Sequence, residues 1–358
     1  MTRDLITANV LTGFLGAGKT TLLNRLLSGP DLADTAVIIN EFGDIGLDHL
    51  LVESVDGDIV LLKSGCVCCT VRGDLKDAVL ALFERRARGD IPAFRRLVIE
   101  TTGLADPAPI IATLAADLML KYHFAIGNVV TAIDVPNGLH NLEAFEEAGR
   151  QVALADRIVL TKADLASGQD LEALRLAVEA INPAAIITTT IVTTGRDSRD
   201  KGQARSSDVA ALLTQDIHDL ASRPAEARRW VAAARHGDHV HATPDRNRHG
   251  DIRAMSLTID RPIAWARFSL WLSLMVHRHG TRILRLKGIL DIEGVGSPVV
   301  VHGVQHLIHP PFHLADWPCD RASLLVLITD GDLGDLQRSL TAFVGAQAKV
   351  RASVPART

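Results

Sequence analysis

The stretch Gly13-Phe-Leu-Gly-Ala-Gly-Lys-Thr20 decides the fold of this chain. It fits the phosphate-loop pattern G-x-x-x-x-G-K-[ST], and it lies between an apolar run, Ile6–Leu11, and a helix-forming run, Thr21–Leu27. In such a strand–loop–helix unit, glycines let the backbone turn its N–H groups toward phosphate, and the helix adds the positive end of its dipole. A glycine-rich turn that ends in Lys-Thr by chance is the alternative, and the two flanking elements disfavour it.

Each position of this loop has a predicted role. Lys19 reaches the β- and γ-phosphates as a point charge and serves catalysis, while the Thr20 hydroxyl is offered to Mg²⁺. Backbone groups of the loop and of the first helical turn bind the phosphates. The nucleotide-binding residues predicted here are Gly13, Gly16, Ala17, Gly18, Lys19, Thr20 and Thr21.

The composition indicates a globular protein of two domains. The chain has 358 residues, of which 47% are hydrophobic and 22% charged, and its net charge is −4. This balance favours neither nucleic acid nor an anionic membrane as a partner, and no apolar run reaches the length of a transmembrane helix. Three of the four cysteines fall within four positions, which is not the pattern of a disulfide framework, so we expect a reducing cytoplasm.

Polar residues follow several apolar strands of the first half. Parallel strands bring their carboxyl ends to one sheet edge, where open α/β sheets bind ligands. Glu41 follows the strand Ala36–Ile39 and is a candidate ligand of Mg²⁺ or its waters, although a solvated loop explains it equally well. Glu100 closes the strand Arg96–Ile99 as a second Mg²⁺ and catalytic partner, and Gly103 is placed to sense the γ-phosphate.

A cysteine cluster follows the strand Ile59–Leu62. Cys66, Cys68 and Cys69 precede an amphipathic helix, and a helix N-terminus favours the thiolate form that binds metal. Three thiolates on one short loop suit Zn²⁺ or a similar ion and leave a fourth ligand position open. The alternative is three small packed side chains, but C-x-C-C is unusual in a cysteine-poor chain, so we favour metal binding.

The sequence Thr-Lys-Ala-Asp at 161–164 points to the base. After the strand Arg157–Leu160, the Asp164 carboxylate can accept hydrogen bonds from guanine N1–H and its 2-amino group, which adenine does not offer. We therefore predict that Lys162 and Asp164 bind the nucleotide and favour GTP over ATP. Thr161 stands where such motifs usually have Asn, and no guanine-loop motif follows, so nucleotide binding is the firmer prediction.

The second half differs in character. We predict a P-loop domain over 1–195, a linker with one helix and a His-rich segment over 196–251, and a smaller α+β domain over 252–358. Within the last domain, the pattern predicts a strand over 299–308, which would place His302 and His306 on one face.

Taken together, these motifs resemble the CobW-type metallochaperone GTPases, relatives of the GTPases that insert nickel into urease and hydrogenase. The resemblance covers nearly the whole chain and is specific, because a phosphate loop and C-x-C-C occur together. It is carried by GFLGAGKTT (13–21), NEFGDIG (40–46), SGCVCCT (64–70), ETTGLADP (100–107), TKAD (161–164), RLKGIL (285–290) and VHGVQHLIHPP (301–311).

The resemblance implies a P-loop NTPase fold and a Mg²⁺-dependent GTPase that loads zinc onto the cysteines and transfers it to client apoproteins. Delivery of cobalt or iron, for cobalamin synthesis or nitrile hydratase, is the alternative within the family, and Co²⁺ is the alternative ion. A nucleotide-regulated metal store or sensor, a P-loop kinase or ATPase with packed cysteines, and a nucleotide- or metal-dependent dimer also stay open.

Overall fold

The computed structural model describes residues 5–27, 32–40, 51–55, 59–64, 71–190, 211–214, 231, 252–318, 320–345 and 350–353. By contacts the chain forms two compact units. The first comprises Met1–Gly138, Ala155–Leu171 and Ile187–His218, and the second comprises Leu139–Leu154, Glu172–Ile186 and Asp219–Thr358. The domain boundaries predicted at 195 and 251 fall outside the described residues and stay predictions.

The phosphate-loop unit forms as its sequence predicts. Strand β1 (Ile6–Thr12) is almost wholly buried, and helix α1 (Lys19–Leu27) begins at the loop lysine. The leucines of α1 recur with helical spacing, so one face of the helix packs against the sheet. The residues of this contact are Leu22, Leu23, Leu26 and Leu27 on the helix, with Leu11, Val37, Val98, Val130 and Val159 on the strands.

The sheet of the first unit is mostly parallel. Its other strands are β2 (Thr35–Asn40), β3 (Leu51–Val55), β4 (Ile59–Ser64), β5 (Arg96–Glu100), β6 (Phe124–Asp134), β7 (Arg157–Thr161) and β8 (Ile186–Thr189). The strand order is β3-β4-β2-β5-β1-β6-β7-β8. Neighbours from β4 to β7 pair in parallel, and β3 pairs antiparallel with β4. The predicted α/β class is confirmed, whereas β3 was absent from the sequence prediction.

Helices connect the parallel strands. They are α2 (Val71–Arg88), α3 (Ala108–Ala116), α4 (Leu118–His123), α5 (Val135–Ala144), α6 (Glu146–Leu154) and α7 (Gly168–Ile181). None of the helices in the described part of the chain is long and apolar enough to span a membrane.

The turn signal Asp106-Pro107 predicts one helix from Ala108 to Leu120, and the prediction of a single helix is wrong. Asp117 interrupts it with an extended backbone, φ −74° and ψ 127°. Its carboxylate accepts hydrogen bonds from the backbone N–H groups of Met119 at 2.9 Å and Leu120 at 3.1 Å. Because Asp competes with the helical pattern by bonding local N–H groups, it ends α3 and caps α4.

The second unit contains an antiparallel sheet with helices, which agrees with the α+β class predicted for residues 252–358. Its elements are β9 (Ile252–Ile259), α8 (Trp265–His279), β10 (Ile283–Leu290), β11 (Val299–Val304), β12 (Leu307–Ile308), β13 (Phe312–His313), β14 (Ser323–Asp330), α9 (Leu336–Val344) and β15 (Val350–Ser353). The order is β12-β11-β10-β14-β9-β15, with β13 beside β11. Helix α8 buries Phe268, Trp271 and Met275 in the core below this sheet.

The strand predicted over 299–308 is wrong in its second half. Strand β11 ends at Val304, residues 305 and 306 form a turn, and β12 returns antiparallel to β11. Gln305 adopts φ +51°, a left-handed conformation that no strand residue takes. His306 therefore lies in the turn and does not share a strand face with His302.

Candidate functional site

The phosphate loop adopts a conformation that depends on glycine. Gly13 has φ +142°, and Gly16 and Gly18 have φ +75° and +84°. At Gly13 both this backbone angle and the lack of space exclude a side chain, because a Cβ atom there would lie 2.2 Å from the carbonyl oxygen of Ala132 on β6. The loop thus passes against the backbone of the neighbouring strand, and the pattern of glycines has a geometric cause.

Lys19 lies in the fold of the loop. Its ammonium donates to the carbonyl oxygens of Gly13 at 2.8 Å and Phe14 at 3.3 Å. Burial lowers the pKa of Lys19, and the negative charge of Glu100 opposes this shift. A buried ammonium beside loop carbonyls is placed where a phosphate chain follows the loop.

Thr20 and Glu100 come together, as predicted from their positions in the sequence. The Thr20 hydroxyl donates to Oε1 of Glu100 at 2.7 Å, and Glu100 is buried. Hydroxyl and carboxylate oxygens are ligands that Mg²⁺ takes in proteins, so this pair fits that ion.

The turn after β5 packs directly on the phosphate loop. A Cβ atom at Gly103 would lie 2.7 Å from the backbone nitrogen of Leu15 and 2.8 Å from its Cα. Just before it, the Thr101 hydroxyl donates to the Thr12 hydroxyl at 2.8 Å, and the Thr101 backbone N–H donates to the carbonyl oxygen of Leu11 at 2.9 Å. The turn predicted to sense the γ-phosphate therefore contacts the loop predicted to bind the phosphates, and only glycine allows this approach.

The end of β7 supports the loop from the other side. The Thr161 hydroxyl donates to the carbonyl oxygen of Ala17 at 2.7 Å, and the Lys162 ammonium donates to that of Gly16 at 2.6 Å. Asp164 lies exposed in a 3₁₀ turn over Ala163–Leu165. The structure thus brings Lys162 to the phosphate loop and leaves the Asp164 carboxylate accessible to a base.

Two contacts at this edge were not predicted from the sequence. Thr161 stands where Asn is usual, and its hydroxyl holds the loop. Asp134 ends β6, and its buried carboxylate lies 3.6 Å from the Lys162 ammonium. The available signal was the position of each residue at the carboxyl end of a parallel strand, the edge at which ligands bind.

The remaining predicted residues divide into two groups. Thr21 is exposed on α1, and Ala17 is buried in the loop. The magnesium candidate Glu41 and the zinc candidates Cys66, Cys68 and Cys69 lie outside the described residues. Among the residues that are described, no group of three or more His, Cys, Asp or Glu side chains could hold a metal ion.

The strand ends that flank these motifs lie on the same sheet edge as the phosphate loop. Ser64 at the end of β4 is opposite Asn40 at the end of β2, and Ile39 is opposite Glu100 on β5. In this order β4 is three strands from β1, a lateral distance of roughly 14 Å at the usual strand spacing.

Comparison with known families agrees with this architecture. The model of the CobW/HypB/UreG nucleotide-binding domain matches residues 7–189, and that of the cobalamin synthesis protein CobW C-terminal domain matches residues 252–344. The chain belongs to the CobW/HypB/UreG family. The first match contains the phosphate loop and the strand ends described above, and the second contains most of the antiparallel sheet.

Family relatives cover nearly the full chain. The zinc chaperone YjiA of Escherichia coli K12 is 33% identical over 312 residues, which are 87% of this chain and 88% of YjiA. The zinc chaperone CobW of Sinorhizobium is 28% identical over an alignment of 378 positions, gaps included, that covers 95% of this chain and 97% of that protein. The crystal structure of the Zn(II)-bound YjiA GTPase from E. coli superposes with a TM-score of 0.67 at 26% identity, covering 96% of this chain and 100% of YjiA.

Proposed function

We propose that this chain is a Mg²⁺-dependent GTPase that binds zinc on Cys66, Cys68 and Cys69 and transfers it to metal-requiring client proteins. Relatives that cover nearly the whole chain are named zinc chaperones, and one solved relative is a Zn(II)-bound GTPase. The observation that carries the proposal is the sheet edge. Strand β4 ends two residues before Cys66, and its end lies on the edge that carries the phosphate loop.

The nucleotide is bound by the loop and by the end of β7. Lys19 supplies a buried positive charge to the β- and γ-phosphates, and the backbone of the loop supplies N–H donors. Asp164, exposed beside Lys162, accepts hydrogen bonds from guanine. A carboxylate at this place favours GTP because adenine presents no matching pair of donors.

Mg²⁺ would be held by the Thr20 hydroxyl and the Glu100 carboxylate, and Glu41 stays a candidate for a further oxygen ligand. The 2.7 Å contact between Thr20 and Glu100 shows that both oxygens reach one point. When bound, the ion neutralises charge that develops on the transferred phosphoryl group. The Lys19 ammonium then binds phosphate oxygens, and the Glu100 carboxylate fixes the Thr20 hydroxyl.

Zinc is the cargo of this reaction. Three thiolates bind a thiophilic ion tightly and leave one position for a ligand of the client. We take zinc over cobalt because of the relatives' names, and we expect the cytoplasm to keep the thiols reduced.

The two sites are coupled through the strand ends between them. Strands β2 and β5 separate β4 from β1, so the ends of these two strands lie between the phosphate loop and the end of β4. Gly103 contacts the phosphate loop at Leu15 and changes its position when the γ-phosphate leaves. Loss of that contact loosens the metal site, and the ligands of the client take over the ion.

A transfer assay tests this function against its alternatives. Zinc-loaded protein is mixed with an apoprotein acceptor and GTP, ATP or no nucleotide, and both zinc transfer and phosphate release are followed. We expect GTP to accelerate transfer with turnover, ATP to do so weakly, and a Cys66→Ser, Cys68→Ser, Cys69→Ser variant to transfer no zinc.

The other outcomes assign the other functions. Tight zinc binding without turnover indicates a store or sensor. ATP preference with unaltered behaviour of the triple serine variant indicates a kinase or ATPase. Faster turnover with cobalt than with zinc in the same assay indicates cobalt delivery.

A further inference from the structure

A buried carboxylate supports the lysine that holds the phosphate loop. Asp134 is 2% exposed at the end of β6, directly opposite Thr161 in the parallel register with β7. Its Oδ2 atom lies 3.6 Å from the Lys162 ammonium and accepts a hydrogen bond from the Asn137 side chain at 2.6 Å. The charge of Asp134 thus faces Lys162 where solvent screens it little.

Lys162 needs support of this kind. Its backbone has φ +55°, a left-handed conformation that is uncommon for residues other than glycine, and its side chain is only one-third exposed. The ammonium reaches the carbonyl oxygen of Gly16 at 2.6 Å. Without the Asp134 carboxylate, the Lys162 side chain loses the charge that holds it in one conformation against the loop.

The contact fixes one peptide group of the loop at both ends. The Gly16 carbonyl accepts from Lys162, and the N–H of the same peptide group, on Ala17, donates to Phe14 at 3.1 Å. The next carbonyl, that of Ala17, accepts from Thr161 at 2.7 Å. Because a trans peptide directs its C=O and N–H in opposite directions, holding the Ala17 carbonyl against β7 turns the N–H of Gly18 away from β7.

We propose that Asp134 is a positioning residue for nucleotide binding, acting through Lys162 on the Gly16 carbonyl and so on the conformation of the phosphate loop. This role rests on the proposed GTP binding. In this role, β6 contributes Asp134 to the nucleotide site. Asp134 also links the Lys162–Asp164 segment, proposed to contact the base, to the loop proposed to bind the phosphates.

A double-mutant cycle tests the proposal. The affinity for a fluorescent GTP analogue is measured for the wild type, Asp134→Asn, Lys162→Met and the double variant. Asp134→Asn keeps the shape of the side chain and removes its charge, so the partly buried ion pair with Lys162 is lost and we expect a roughly 10-fold loss of affinity. In the Lys162→Met background, the same substitution should change affinity less than twofold.

Two further variants control for folding. Asn137 is exposed, and Asn137→Ala leaves the charge of Asp134 in place, so this variant should fold. It should lower the affinity for the GTP analogue by about threefold, again only when Lys162 is present. Asp156 precedes β7 and is as buried as Asp134, and its carboxylate accepts a hydrogen bond from the backbone N–H of Val129. Asp156→Asn removes the charge of this carboxylate. It should lower the melting temperature and leave GTP affinity within twofold.

The outcomes separate the two proposals. If the wild type binds no GTP, the proposed function is wrong and the positioning role falls with it. If the wild type binds GTP but Asp134→Asn reduces affinity equally in both backgrounds, or matches Asp156→Asn, only the positioning role of Asp134 is wrong.

Discussion

Gly103→Ala tests whether the turn after β5 and the phosphate loop act as one unit. The added Cβ would lie 2.7 Å from the backbone nitrogen of Leu15, 2.8 Å from its Cα and 2.6 Å from its Cδ2, whereas ordinary contacts begin at 3.4 Å. The side-chain atom can rotate away, but the two backbone atoms have to retreat by about 0.6–0.7 Å. The substitution therefore moves either the turn or the loop.

The size of this movement sets the expected effect. Overpacking of this kind destabilises a protein by about 1–3 kcal/mol, and a misplacement of about 1 Å in a catalytic site lowers the rate by roughly 100-fold. For Gly103→Ala we expect a 10- to 100-fold lower kcat for GTP hydrolysis, measured by phosphate release. Circular dichroism melting should show that the variant is folded at the assay temperature.

Gly168→Ala is the matched control. Gly168 begins α7, and no atom lies within 4 Å of a Cβ built there. Alanine favours a helix over glycine, so stability should be unchanged or slightly higher and GTP hydrolysis unaltered. A kcat of Gly103→Ala within twofold of this control would refute the argument that the turn and the loop are in tight contact.

Three further predictions concern the loop and the helix break. Thr161→Val removes the donor to the Ala17 carbonyl, so unfolding in urea should show a loss of about 1–3 kcal/mol, which Thr161→Ser should largely restore. Gly13→Ala places a methyl group 2.2 Å from a backbone oxygen of β6, and titration should show GTP affinity reduced by more than about 100-fold. The pKa of Asp117 is lowered mainly by the hydrogen bond from the Lys76 side chain and also by backbone N–H donors. The ionised Asp117 carboxylate therefore stabilises the fold above the unfolded pKa of about 4, and this stabilisation is lost as pH falls through the lower folded pKa. The difference in melting temperature between the wild type and Asp117→Asn should therefore shrink from pH 6 to pH 3, and an equal difference at both values would contradict this.

Patterns with a local cause were predicted well from the sequence. The phosphate loop is recognisable because its glycines, lysine and threonine follow a strand and begin a helix within 15 residues. Its pattern predicts Thr20 as a Mg²⁺ ligand, and the position of Glu100 at the end of a parallel strand predicts the second one. The strand order, the contact of Thr161 with the loop and the contact of Asp134 with Lys162 were not predicted. They depend on which strands become neighbours, and no local spacing encodes that choice.

The wrong predictions arise where an apolar pattern continues through a change of direction. Residues 108–120 keep a helical pattern across Asp117, so only the capping bonds of its carboxylate reveal the break. Residues 299–308 are largely apolar on both sides of Gln305. The turn at residues 305 and 306 contains neither glycine nor asparagine, the residues that usually indicate a positive φ. In both cases a single residue's hydrogen bonding or backbone angle overrides the periodicity.

We expect that nucleotide and zinc, bound at one sheet edge, influence each other's affinity. A titration of the protein with zinc against a competing chelator, with and without a nonhydrolysable GTP analogue bound, measures this coupling. Couplings of about 1–3 kcal/mol predict that the analogue raises zinc affinity by roughly 5–150-fold, and that zinc raises affinity for the analogue by the same factor. Equal zinc affinities with and without the analogue would contradict the account.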